Sequence, residues 1–288
     1  MEHSPGPLRE VALEVAIKVA DFLRSKFGIR DFAKKAEGLG TEETLIADWE
    51  AEELAINLLE RRGFRGLVIA EEHEVVELGS EDLVALIDPL DGSKNYANGI
   101  PWCSVSLAFA RRPESKAPLD ELLIAGAVVP IVLGSPMSFE SGGGVFVGEA
   151  KYRRPKSPFP MIFAYLEERE AAAVVNRYRK LSGSKPVRSL GSAAMELSMV
   201  ALGKGEVFID ARARLRVVDI AAGIGALKEC GAVYSDILGN PLEVKLNELE
   251  RISSVAAGFD TSYHQLILKA VEEEGLATFF ENLYGAEQ

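Results

Sequence analysis

Cysteine is scarce in this 288-residue chain, which holds only Cys103 and Cys230. Two thiols cannot build a disulfide framework or a four-cysteine zinc site, so both read as core residues. Histidine is nearly as rare, at His3, His73 and His264, which leaves little room for a histidine-based metal site. Basic side chains are outnumbered, 32 Lys plus Arg against 44 Asp plus Glu, giving a net charge of −12 and a pI near 4.9. That balance argues against nucleic acid or an anionic membrane as a partner. An anionic substrate would need a local positive centre, supplied by basic residues or by metal ions. Glutamine occurs only at Gln265 and Gln288, the sparse-amide pattern of a thermophile or of simple compositional drift.

No unbroken apolar run reaches membrane length. The stretch from Leu122 to Phe139 lacks charge but is interrupted by Gly126, Pro130, Gly134, Ser135 and Pro136, so it reads as buried strands joined by a turn. The opening Met-Glu-His-Ser-Pro-Gly-Pro has no basic region ahead of an apolar run. No secretory leader is expected, and the expected location is cytoplasmic.

What is present suits a folded enzyme-sized protein. Hydrophobic residues make up 48% and charged residues 26%, enough apolar side chain for a core and too much for a disordered chain. Leu8, Val11, Ala12, Val15, Val19, Phe22 and Leu23 share one helical face, and that helix ends near Gly28. A charged loop over 29–41 precedes a second helix predicted from about Glu42 to Arg62. Strand-like runs follow at Leu67–Ala70, Leu83–Asp88, Val105–Ala110 and Leu122–Pro130. Ser141-Gly142-Gly143-Gly144 reads as a hairpin turn and not as a phosphate cradle. Three prolines and four basic residues over 151–160 mark a domain boundary, placed at 155/156. The second half alternates strands (161–165, 187–189, 206–210, 252–257) with helices (170–181, 192–202, 219–230, 261–274). The fold class is therefore an α/β half packed on an α+β half.

Carboxylates gather at the ends of these elements. The apolar strand Leu86-Ile87 runs into Asp88-Pro89-Leu90-Asp91-Gly92-Ser93. Two acids three residues apart at the end of a buried strand repel each other, and burying them without a cation is costly. A hard divalent ion such as Mg²⁺ prefers oxygen donors and resolves that conflict. Pro89 stiffens the turn, so Asp88, the Leu90 carbonyl and Asp91 could face one point. Gly92 permits close backbone approach, and free N–H groups from Ser93 onward would meet an anion. The plain alternative is a turn with an aspartate helix cap. Upstream, Leu67-Val68-Ile69-Ala70 also ends in acids, Glu71-Glu72. Downstream, Asp219 stands where a small-residue helix begins, and alone it would read as an N-cap. Three such ends are harder to explain as three separate caps.

In that order and spacing, Glu71-Glu72, Asp88 to Ser93 and Asp219-Ile220-Ala221-Ala222-Gly223 resemble the motifs of the inositol monophosphatase/fructose-1,6-bisphosphatase superfamily. The similarity runs from the first helix to roughly residue 260. It is greatest to archaeal enzymes that act on both inositol phosphate and fructose bisphosphate. The resemblance implies a layered αβαβα sandwich and a homodimer. It also implies two or three Mg²⁺ ions per site, with Mn²⁺ able to substitute. Metal ligands would be Glu71, Asp88, the Leu90 carbonyl, Asp91 and Asp219. Asp48 and Ser93 would orient the attacking water, although Leu45 and Ala47 stand where many relatives have threonines. Gly92 and Ser93 would hold phosphoryl oxygens through their main chain. Gly191, Ser192 and Asp210 would contact substrate hydroxyls. Arg212, Arg214 and Arg216 share one side if extended, and suit either a second substrate phosphate or a subunit contact. The loop at Lys34, Lys35 and Glu37 matches the family's mobile loop, or is simply solvated.

The implied activity is metal-assisted hydrolysis of a small sugar or inositol phosphate. A phosphatase for 3′-phosphoadenosine 5′-phosphate belongs to the same superfamily. A protein that merely binds metal through the acidic cluster is the alternative of another class. The Asp48–Ser93 pair argues against it, since a structural metal site has no use for a water-orienting hydroxyl and acid.

Overall fold

The computed structural model describes residues 6–36, 44–80 and 82–285. His3, Glu37 and the expected helix start at Glu42 lie outside them. Five layers stack in the order helix, sheet, helix, sheet, helix. The outer helices Gly6–Lys26 and Ile46–Arg61 cover one face of an eight-stranded sheet. Helices Ala193–Ala201 and Val217–Glu229 fill the middle layer. A five-stranded sheet follows, covered on its far side by Arg169–Ser182 and Thr261–Glu273. The expected αβαβα sandwich is the observed architecture.

The large sheet runs, edge to edge, Glu74–Glu77, Leu67–Ala70, Leu83–Asp91, Ser104–Arg111, Leu123–Pro130, Met137–Glu140, Gly144–Val147 and Ala150–Lys151. Its one parallel pair, Leu67–Ala70 with Leu83–Asp91, bears the acids, and Ala70 stands level with Ile87. The next residue on each strand is therefore Glu71 or Asp88, side by side at the carboxyl ends. The small sheet spans Ile162–Gly258, so the division at 155/156 falls between the sheets. The core does not divide there. Phe139 and Leu86 from the first half pack in one cluster with Leu197, Phe208 and Ile224 from the second.

The middle helix Val217–Glu229 is buried nearly all round, which its Ala-Ala-Gly-Ile-Gly-Ala run makes possible. Small residues let the two sheets approach. Gly225 is the tightest point, since a Cβ there would lie 2.1 Å from the Phe139 ring.

Several expectations shift in detail. The second helix begins at Ile46, because Thr44-Leu45 is held extended: Ala36 N–H donates to Thr44 O, and Lys35 bridges Leu45. The single strand expected over 252–257 divides into Arg251–Ile252 and Val255–Gly258, which join different sheets. The hairpin strand Glu74–Glu77 and the helix Ala277–Gly285 went unread, the first because it is dense in acids. The glycine turn at 142–144 does bind an anion, but an internal one: Gly142 and Gly144 N–H donate to the Glu229 carboxylate at 3.0 and 2.9 Å. Among the described residues, no helix is long and apolar enough to cross a membrane.

Gly225→Ala tests the middle layer. Alanine favours a helix, but its methyl has no room beside Phe139. The substitution should cost about 1–3 kcal/mol and lower the thermal midpoint by several degrees. A raised midpoint would show that the layers are looser than described.

Candidate active site

The site lies where the carboxyl ends of the parallel strands meet the N-terminus of Val217–Glu229. A β-bulge sets its geometry. Opposite Asp88 stands Ser106, and opposite Asp91 stands Ser104, so three steps on one strand match two on the other. Residues three apart on a regular strand face opposite sides; the extra residue brings Asp88 and Asp91 to the same side. Pro89 suits the unpaired position because it has no N–H to leave unsatisfied. Leu90 N–H donates to Asp88 Oδ1 at 3.0 Å, and the Leu90 side chain is buried in the outer core.

Oxygens of Glu71, Asp88 and Asp219 lie within 4.8 Å of one another. Asp219 is not an N-cap but the third residue of its helix, where its Oδ2 accepts the Arg216 N–H at 2.8 Å. Asp48 has the same place in its own helix and accepts the Leu45 N–H at 2.9 Å. Asp48 is only 4% exposed, far from the surface acid that a helix pattern alone suggests.

Asp91 lies beside the trio but its oxygens turn elsewhere. Oδ2 accepts from Ser192 Oγ at 2.5 Å, Ala194 N–H at 2.9 Å and Ser104 Oγ at 3.4 Å, while Oδ1 accepts from Ala193 N–H at 3.1 Å. It thereby caps the helix Ala193–Ala201 from a distant part of the chain. One acceptor position remains, on Oδ1.

Burial raises every one of these acids. Asp88 and Asp48 are held well above the usual carboxylate range by desolvation, with neighbouring acids adding to it. Glu71 is pushed up to about 8 by burial and by Asp219, against the pull of Arg216. Burial carries Asp219 to about 7 and Asp91 to about 6. An all-oxygen set of mutually repelling buried carboxylates fits a hard divalent cation.

A cavity of about 160 Å³ opens beside the trio, lined in part by Asp48, Glu71, Glu72, Ser93, Lys94 and Arg216. Gly92 turns the chain into the short helix Ser93–Ala97 with φ of 90°, and a Cβ there would come within 3.0 Å of Gly191 O and Trp102 O.

The expected substrate residues fare unevenly. Gly191 is half-buried and adjoins Gly92, held by Asn95 Nδ2, which donates to both Leu190 O and Trp102 O at 2.7 Å. Ser192 is fully buried and its hydroxyl donates to Asp91, so it orients a carboxylate where a hydroxyl contact was expected. Asp210 is filled by Arg212, whose Nη2 donates to Oδ2 at 2.7 Å. Arg212 also stacks on Tyr165 at 3.6 Å and pairs with Glu167. Arg214 pairs with Glu167 and Glu168. The arginines do not share one side, because Ala213 breaks the extension with φ of 54°, and Arg216 alone of the three lines the cavity. Lys34 is exposed and pairs with Asp31.

Two buried glutamates escaped notice in the sequence. Glu52 is completely buried and accepts the N–H groups of Glu72 at 2.9 Å and His73 at 2.7 Å, with His73 Nδ1 also at 2.7 Å. It builds the turn that presents Glu71. Its signal was present, since it follows Asp48 by four residues on one helical face. Glu196 accepts from Leu190 N–H at 3.0 Å and Tyr165 Oη at 2.7 Å, and burial lifts it to about 7.

With this geometry in view, comparison with known proteins is decisive. The profile of the inositol monophosphatase family matches residues 5–276. The chain belongs to that family. An Aeropyrum pernix inositol-1-monophosphatase is 40% identical over 258 residues, covering 88% of this chain and 93% of its own. A Methanothermobacter thermautotrophicus fructose-1,6-bisphosphatase/inositol-1-monophosphatase is 31% identical over 275 residues, covering 91% and 95%. A Pyrococcus horikoshii structure described as similar to inositol-1 monophosphatase superposes with a TM-score of 0.76 at 25% identity, covering 93% and 99%. As a member of the inositol monophosphatase family the chain is an enzyme, a phosphatase.

Two outcomes follow. The raised carboxyls hold more protons folded than unfolded, so their favourable contribution is complete below about pH 4 and is lost as pH climbs through about 8. Metal-free protein should melt several degrees lower at pH 8 than at pH 5, with an added divalent cation raising the midpoint more at pH 8. Equal cation-induced shifts at both pH values would contradict the site's electrostatics. Glu52→Gln should weaken divalent-cation binding about 10–100-fold by titration calorimetry while circular dichroism stays unchanged.

Proposed function

We propose that the chain is a Mg²⁺-dependent phosphomonoesterase that hydrolyses inositol 1-phosphate, fructose 1,6-bisphosphate or both. The observation that carries this reading is one cavity lined by Asp48, Ser93 and Glu71, with the carboxylate trio at its side. A site built only to hold a metal has no need of that acid and hydroxyl.

Glu71, Asp88 and Asp219 would hold Mg²⁺, or Mn²⁺ in its place, joined by the Leu90 carbonyl and the open acceptor of Asp91 Oδ1. The resemblance supports two or three ions. When bound, the metal neutralises phosphate charge and lowers the pKa of water. Ser93 Oγ would orient the attacking water in line with the phosphorus and Asp48 would take its proton, while the ester P–O bond breaks and the leaving alkoxide takes a proton from solvent. The raised proton affinity of Asp48 suits a proton acceptor. Main-chain N–H groups of Gly92 and Ser93 would hold phosphoryl oxygens, and Gly191 would meet a substrate hydroxyl. Ser192 and Glu52 would act through the ligands they fix. No covalent nucleophile is required, because phosphoryl transfer depends on positioning and charge neutralisation. The activities for which these relatives are named support the two substrates. A homodimer rests on the resemblance alone.

Phosphate release from inositol 1-phosphate and fructose 1,6-bisphosphate, measured in parallel with Mg²⁺ and with EDTA, tests the reading. Release should require Mg²⁺. Asp48→Asn should lower kcat about 10²–10⁴-fold with the metal still bound, and Asp88→Asn should abolish both. Near-normal release by Asp88→Asn would sink the proposal.

A further inference from the structure

Arg216 has a role that neither a phosphate site nor a subunit contact describes. It touches two of the three clustered carboxylates. Its main-chain N–H donates to Asp219 Oδ2 at 2.8 Å, and its guanidinium Nη1 lies 2.7 Å from Glu71 Oε1. Nη1 is buried, and among the described residues it makes no hydrogen bond of good geometry. The contact is therefore mainly one of charge. The backbone leaves little freedom here. Arg216 pairs with Arg251 and Leu215 with Ile252 in a two-stranded ribbon, and Val217 N–H donates to Glu250 O at 2.9 Å. Only the side chain can move.

The trio would otherwise be three repelling acids in a half-closed pocket, Asp88 buried and Glu71 and Asp219 half-buried. The guanidinium supplies the missing positive charge, and it does so at the Glu71 carboxylate, which a metal ion held by the trio would also use.

We propose that Arg216 is the internal counterion of the metal-free site and competes with the divalent cation for Glu71. This rests on the reading of the trio as a metal site. On metal binding the guanidinium gives up Glu71 and stays at the cavity wall. Arg216 thus stabilises the empty site and weakens metal affinity through the same contact.

Mn²⁺ binding by titration calorimetry, with thermal midpoints in EDTA, tests this on the full chain. Arg216→Gln should bind Mn²⁺ about two- to fivefold more tightly than the parent protein, the range expected from losing a partly exposed ion pair. It should also melt lower in EDTA. Arg216→Lys keeps a charge without the planar fork, so its Mn²⁺ affinity should fall between the two. That variant carries the test if Arg216→Gln does not fold without metal. Unchanged or weaker Mn²⁺ binding by the variants, with the parent binding normally, overturns the proposal. A parent protein that binds no Mn²⁺ overturns the metal site itself and the competition with it.

Discussion

Everything around this site answers one constraint: carboxylates of like charge are forced together in a pocket only partly open to water. The fold meets it with main-chain N–H groups aimed at the acids. Asp48 and Asp219 each take the N–H three residues back, Asp91 takes the start of a distant helix, and Glu52 takes two N–H groups of the Glu71 turn. These bonds orient the acids without adding a full positive charge. The remaining charge imbalance is what makes a divalent cation the natural occupant.

The two middle-layer helices and the bulge deliver this geometry jointly. The parallel strand pair sets Glu71 beside Asp88, and the bulge recruits Asp91 to the same face. Asp219 arrives on a helix so rich in small residues that both sheets can close on it. Ser106 Oγ donates to Val218 O at 3.5 Å, fastening that helix start to the strand opposite the bulge.

Much of this was legible in the sequence, and the limits have physical causes. Apolar periodicity located most helices and strands, because it reports which face is buried. The ordered acids Glu71, Asp88, Asp91 and Asp219 stood out because strand ends rarely carry so many. What could not be read was choice of partner. Arg212 finds Glu167, forty-five positions away, only because the small sheet brings them together. Ser192 looked like a substrate contact, yet the helix it precedes packs against Asp91. The buried state of Glu52 and Glu196 also depends on chain segments remote in sequence.

Asp91 belongs to two structures at once, since its carboxylate closes a helix of the second half while its strand belongs to the first. Asn95 bridges the same seam. Any breathing of the layers that parts the seam must therefore release the amide hydrogens of Ala193 and Ala194 to solvent. Those two amides become a built-in gauge of how often this seam opens, and their exchange with deuterium would time that opening without reference to turnover.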